Sequence, residues 1–221
     1  MKPATLPHRS LWTALSLMAA GLFLTGCVGM LAHGLYVIKG NKVPAAFDQL
    51  SGQRVAVVCV SSSPARGPAS PPDMIARDVG QMLSKRVADI EMVRPDEVAD
   101  WIDRNQWNEI KYVEVGRGVQ ADLVVAIDLE SFRLKDGATL FKGRATAHTT
   151  VFDMNADGKV VFESSTFDFN YPENGARHTT EVSESSFRRV FIRSLARQLA
   201  KDFFDYDRDE DFAYDATAIS R

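Results

Sequence analysis

Cysteine and histidine are scarce in this chain. Its 221 residues hold two cysteines, Cys27 and Cys59, and four histidines, too few cysteines for a disulfide-stapled scaffold. Cys59 lies inside the apolar run Arg54-Val55-Ala56-Val57-Val58-Cys59-Val60, where a small core hydrophobe is expected rather than a catalytic thiol. His148 and His178 are the only histidines beyond residue 52, and neither has a second histidine three or four residues away to complete a metal-binding face. No G-x-G-x-x-G or G-x-x-x-x-G-K-[ST] run offers a phosphate cradle, and no G-x-S-x-G elbow surrounds Ser61, Ser62 and Ser63. A basic excess is also missing. The formal net charge is −3, and removing a leader that carries Lys2 and Arg9 but no acid makes it more negative. Nucleic acid is therefore not an expected partner, since displacing counterions from phosphates needs positive charge.

What is present is enough for a core. Apolar residues make up 45% of the chain and charged residues 25%, ordinary values for a globular protein. One domain is the expectation, with residues 1–26 as an export leader, 27–52 as a lead-in, 53–204 as the globular domain and 205–221 as an acidic mobile tail.

Lys2, His8 and Arg9 precede an uncharged stretch from Leu11 to Leu24, the order of a charged region followed by an apolar one in a signal peptide. The stretch ends in Leu24-Thr25-Gly26-Cys27, which resembles the lipobox of bacterial lipoproteins. The resemblance implies cleavage before Cys27 and lipidation of Cys27, hence palmitate-type chains and attachment to a membrane of the cell envelope. Two or three acyl chains make dissociation slow where one would not. With Cys27 acylated, no intramolecular disulfide is available. In the same family, a residue such as Val28 after the cysteine, rather than aspartate, implies the outer membrane, on its periplasmic side. The alternative is a retained transmembrane helix, because no formal charge occurs between Leu11 and Ile38; Gly21, Gly26, Gly29 and Gly34 weaken that helix.

In the exported part, residues 54–60 read as a central strand covered on both faces. Residues 61–72 are rich in Ser, Pro and Gly and form a loop. Ile75, Val79, Met82, Leu83 and Val87 recur at helical spacing, and Pro95 fits the first turn of another helix, with Val98, Trp101 and Ile102 turned to the core. Between them residues 90–93 form a short strand. Residues 105–120 are expected to be irregular or a short helix, and 121–129 a second apolar strand. Residues 139–154 and 159–171 form long strands joined by Asn155-Ala156-Asp157-Gly158, a hairpin signal. Gly143, Ala145 and Ala147 share one face, leaving room for close approach of a helix over 182–204, whose stripe is Phe187, Val190, Phe191, Leu195 and Leu199. The order β-α-β-α-β-β-β-α implies an α+β fold with a single mixed sheet of about five strands and helices packed on a face.

The strand starts Val55-Ala56-Val57-Val58 and Ala121-Asp122-Leu123-Val124-Val125, in this topology, resemble the domain shared by curli-secretion channel lipoproteins and the amino-terminal domain of the Tol-system propeller protein. The resemblance implies a non-enzymatic accessory of a transport, secretion or envelope-assembly complex, working through envelope proteins or self-association. The alternatives are a module binding a small molecule or cell-wall component through the 61–72 loop, or a hydrolase.

Asp153-Met154-Asn155-Ala156-Asp157-Gly158 matches the first half of a calcium loop, but Ser164 stands where the bidentate glutamate belongs and Glu163 comes one place early. A plain hairpin is expected, with no metal and no cofactor. Trp101, Trp107 and Tyr112 are spaced for packing rather than for one aromatic face. Asp205, Asp207, Asp209, Glu210, Asp211 and Asp215 read as a solvated terminus.

Overall fold

The computed structural model describes residues 42–61, 67, 69–105 and 111–207. Residues 44–206 belong to one compact unit; Lys42–Val43, a two-residue strand, and Asp207 belong to another.

The first unit is built on a mixed sheet of seven strands, in which β1 (Arg54–Ser61) is flanked by two parallel neighbours, β2 (Glu91–Met92) and β3 (Leu123–Asp136). β3 runs antiparallel to β4 (Leu140–Asp153). Three segments then pair in succession with the far side of β4: β5 (Lys159–Glu163), β6 (Phe167–Tyr171) and β7 (Arg177–His178).

Alternation along β1 explains its unbroken apolar run. Val55, Val57 and Cys59 enter one core with Ile75, Val79 and Leu83 of α1 (Pro71–Arg86) and Phe187, Phe191, Ile192, Leu195 and Leu199 of α4 (Glu184–Ala200). Ala56 and Val58 enter a second core with Val98 of α2 (Pro95–Arg104) and Val115 of α3 (Tyr112–Gly118). The α+β fold and mixed sheet are as expected. The parallel strands, however, carry helices on both faces, not on one, as their two-sided apolar pattern demands. Each large side chain buried this way contributes roughly 1.5–3 kcal/mol before the entropy of ordering is subtracted.

The helix ends follow their capping residues. The Ser70 hydroxyl accepts the Asp73 N–H and donates to the Asp73 carboxylate at 2.8 Å, and Pro71 opens α1. Ser183 accepts the Ser186 N–H at 3.2 Å and caps α4, which begins at Glu184, two residues later than the periodicity places it.

Other boundaries differ from expectation. The domain begins before residue 53, because Phe47 and Leu50 are buried in the α1/α4 core and the Phe47 N–H donates to the Asp202 carbonyl at 2.8 Å. At the other end Phe203 is buried in a 3-10 turn, Lys201–Phe203, and the compact unit runs to Tyr206. Residues 112–118 are helical. Residues 159–171 are not one strand. The Ser164 hydroxyl accepts the Thr149 N–H and the Ser164 N–H donates to the Thr149 carbonyl, both at 2.8 Å, so a side chain replaces part of the ladder and the pairing register shifts by one residue. β3 continues seven residues past Leu129 because β4 still pairs with it after β1 has ended.

Candidate functional site

The carboxyl ends of the parallel strands β1 and β3, the place where open α/β sheets offer crevices, carry two polar arrangements, one on each side of the sheet.

On the α2/α3 side, Asp128 and His148 are direct cross-strand partners. The Tyr112 hydroxyl donates to Asp128 Oδ1 at 2.5 Å, Asp128 Oδ2 faces His148 Nε2 at 3.3 Å, and His148 Nδ1 lies 3.5 Å from Glu130 Oε1. His148 Nδ1 is buried and makes no hydrogen bond of good geometry. One row further along the sheet, Ser131 Oγ donates to Thr146 Oγ1, which donates to Asp168 Oδ1 at 2.7 Å. Burial pushes the Tyr112 phenol well above its ordinary pKa, and the hydrogen bond to Asp128 adds to that, since donation requires the proton. Chemically, a carboxylate–imidazole–carboxylate line can hold a proton and present negative charge on a solvent-facing stretch of sheet.

On the α1/α4 side lies a cleft of about 830 Å³ between the part of β3 beyond Leu129 and the amino-terminal ends of α1 and α4. Ala69, Pro71, Phe132 and Leu134 supply its apolar wall. Glu184 bridges two cations there, Lys135 Nζ at 2.9 Å and Arg188 Nη2 at 3.1 Å, and Lys135 sits 5.9 Å over the Phe141 ring. The hydrogen bond and charge of Lys135, with Arg188 beside it, hold the Glu184 carboxyl below the usual carboxylate range. Arg188 Nε is buried and has no hydrogen-bond partner among the described residues. Arg133, exposed at the same edge, pairs in register with Arg144, which is held by Asp136 at 2.8 Å.

The residues singled out in the sequence are dispersed. Cys27, Ser62, Ser63, Trp107, Asp209, Glu210, Asp211 and Asp215 lie outside the described residues. Cys59 is a buried member of the α1/α4 core, where desolvation pushes its thiol up and out of nucleophilic range. Ser61 ends β1, and the cleft is lined by residues that close the 61–72 loop. His178 ends β7 with Nδ1 2.8 Å from Thr180 Oγ1. Trp101 packs against Gly118, where no Cβ fits, and Tyr112 stacks on Phe152 at 5.7 Å. In the 153–158 turn, Asp153 Oδ1 accepts the N–H groups of Asn155 and Ala156, and Asp157 pairs with Arg117, so these carboxylates serve the turn. Among the described residues no group of three or more His, Cys, Asp or Glu is arranged to hold a metal ion. Asp205 accepts the Ala45 N–H at 3.0 Å.

Sequence reasoning missed the Tyr112–Asp128–His148 contact and the cationic cleft. The signal for the first was the pair of acids at 128 and 130 directly after the apolar run 123–127; no signal names their partners, which come from other elements.

Among the described residues, no helix is long and apolar enough to cross a membrane. No family model matches the chain, and no curated protein does. Similar solved structures include the hypothetical protein CT253 from Chlamydia trachomatis, 10% identical, spanning 77% of this chain and 100% of that one with a TM-score of 0.45. The PelC dodecamer from Paraburkholderia phytofirmans is 15% identical over 73% of this chain and 91% of that one, with a TM-score of 0.43. Lipoprotein GNA1162 from Neisseria meningitidis is 12% identical over 66% of this chain and 97% of that one, with a TM-score of 0.41.

Proposed function

We propose that the protein is a lipid-anchored lipoprotein of the bacterial envelope that works by contact, as an accessory of a transport, secretion or assembly complex, without bond-making chemistry of its own. The observation that carries this reading is the order of charged start, apolar run and Leu24-Thr25-Gly26-Cys27. Multi-acyl anchoring confines the domain to one membrane surface and raises its effective concentration toward other envelope proteins, so modest interfaces suffice. The outer membrane is the proposed location, from Val28. The domain offers contact surfaces: Arg189 and Arg193 are exposed on α4, and Val160 and Val161 on the edge strand β5 are 43% and 37% exposed. Arg197, one turn further along the helix, is half-buried.

The test is expression of wild type and Cys27→Ser in a bacterial host with labelled palmitate, followed by crosslinking from positions 189 and 193. Label on wild type alone, and a discrete crosslinked envelope protein or second copy, is the expected result. Label on the mutant would reject the anchor. Monomer at both positions, together with turnover of an ester or cell-wall substrate, would replace contact with enzymology.

A second reading, a ligand-binding module at the 61–72 loop, is supported by the cleft that the end of this loop lines.

A further inference from the structure

We propose that the cleft between β3 and the amino-terminal ends of α1 and α4 binds an anionic amphiphile, holding a phosphate or carboxylate group at Lys135 and Arg188 and an apolar body along Phe132 and Leu134. The inference rests on the second reading above, that this cleft is a ligand site, and supplies the ligand's chemistry.

Charge sets the sign. Two cations, Lys135 and Arg188, share a single carboxylate, that of Glu184. Two helices of 16 and 17 residues begin at the cleft, each with one acid in its first turn, Asp73 on α1 and Glu184 on α4; Asp73 is held by Ser70 and Gly67, so the charge facing the cleft is set by Lys135 and Arg188. A cationic ligand would meet both of these. The Glu184 carboxylate, drawn between Lys135 and Arg188, marks the position where negative charge is stabilised.

Hydrogen bonding points the same way. Arg188 donates through Nη2, and Lys135 through Nζ, to the one Glu184 carboxylate at the cleft. A phosphate or carboxylate that takes the place of that carboxylate accepts from both, in the charge-assisted geometry that guanidinium groups favour, whereas a neutral apolar ligand leaves them where they are. The rest of the wall is apolar, and about 830 Å³ falls within the range of small-molecule sites, roughly 300–1,000 Å³. A bare inorganic ion would leave most of that space unfilled.

In the bound state the ligand's anionic group takes over Lys135 and Arg188 while Glu184 swings toward solvent. Glu184 is therefore a competitor of the ligand, and this separates the proposal from its opposite. Neutralising Glu184 strengthens binding of an anion and weakens binding of a cation.

The experiment titrates the full chain with dihexanoyl-phosphatidylglycerol, dihexanoyl-phosphatidylcholine and inorganic phosphate, each below any micelle concentration, by calorimetry. Wild type, Lys135→Gln/Arg188→Gln and Glu184→Gln are compared, with circular dichroism reporting the fold. The expected result is binding of the glycerol lipid about tenfold tighter than the choline lipid, a loss of about tenfold or more in the double variant, and a gain in Glu184→Gln; two lost charge-assisted bonds are sufficient for that change. Inorganic phosphate that displaces the lipid at comparable concentration assigns the site to a free anion and overturns the amphiphile. Glu184→Gln keeps the test decisive should the double variant fail to fold. Equal affinity for both lipids, or weaker binding in Glu184→Gln, overturns the anionic class and leaves a ligand site of other chemistry. No heat with any probe overturns the ligand site as well.

Discussion

Gly143 of β4 lies against the ring of Phe191 of α4 so closely that a Cβ at position 143 would overlap the ring carbons. The ring is fully buried and also meets Phe132 at 5.2 Å and Phe169 at 5.9 Å, so it has no direction in which to yield. Gly143→Ala is expected to destabilise the domain by about 1–3 kcal/mol through overpacking. Urea unfolding measures it, and combining it with Phe191→Leu should recover part of the loss. A stability within a few tenths of a kcal/mol of wild type, the ordinary scatter of surface substitutions, would show that α4 is free to move away.

The 153–158 turn is expected to be structural. Asp157 and Gly158 both have positive φ, 59° and 80°, and a side chain at 158 would press on Val113. Gly158→Val should therefore cost about 1 kcal/mol or more. Asp153→Asn keeps the oxygen that accepts two backbone N–H groups and should leave the melting temperature unchanged in calcium and in chelator alike. A calcium-dependent rise that needs Asp153 would reverse this assignment.

Tyr112 ties α3 to the sheet through Asp128. Tyr112→Phe is expected to cost about 1–2 kcal/mol, the scale of a hydrogen bond to a charged group. Because the native phenol is held above its ordinary pKa, the unfolded chain ionises first as pH rises past about 10. Stability conferred by the neutral phenol is full below that pH and falls above it. Unfolding at pH 9 and pH 11 should show this alkaline loss in wild type and a smaller one in Tyr112→Phe. Equal slopes would place the phenol in water.

Asp202 follows the same sign in the acid range. Burial raises its carboxyl above the ordinary value, so its penalty is absent when both states are protonated and grows as pH rises through the native pKa. Asp202→Asn is expected to match wild type near pH 3 and to melt higher at pH 7. A lower melting temperature at pH 7 would mean that the carboxylate has a favourable partner.

Where the chain's local pattern and its packing agree, the structure was legible in advance. The 55–59 run could only be a strand covered on both faces, and Gly143, Ala145 and Ala147 left the space that α4 fills. Pro95 opens α2 and Asp157-Gly158 turns the hairpin because backbone geometry restricts those positions. The break at Ser164 was not legible, since a serine hydroxyl substituting for a ladder carbonyl depends on Thr149 lying opposite. Nor was the membership of Phe47 and Leu50 in the core, because an isolated aromatic in an aperiodic segment carries no period to read.

Sequence by itself determined the strand and helix periods, the order of charged residues, apolar run and Leu24-Thr25-Gly26-Cys27, and the sign of the net charge, all properties of neighbouring residues or of sums. Tertiary structure alone decided that Tyr112, Asp128 and His148 meet, that Lys135 and Arg188 share Glu184, and that the end of β3 is left without a second partner among the described residues. The Tyr112–Asp128, Asp128–His148 and Lys135–Glu184 contacts join side chains 16 to 49 positions apart, whereas Glu184 and Arg188 lie one turn apart on the same helix. Their distances are set by sheet register and helix packing, which the local pattern constrains but does not specify.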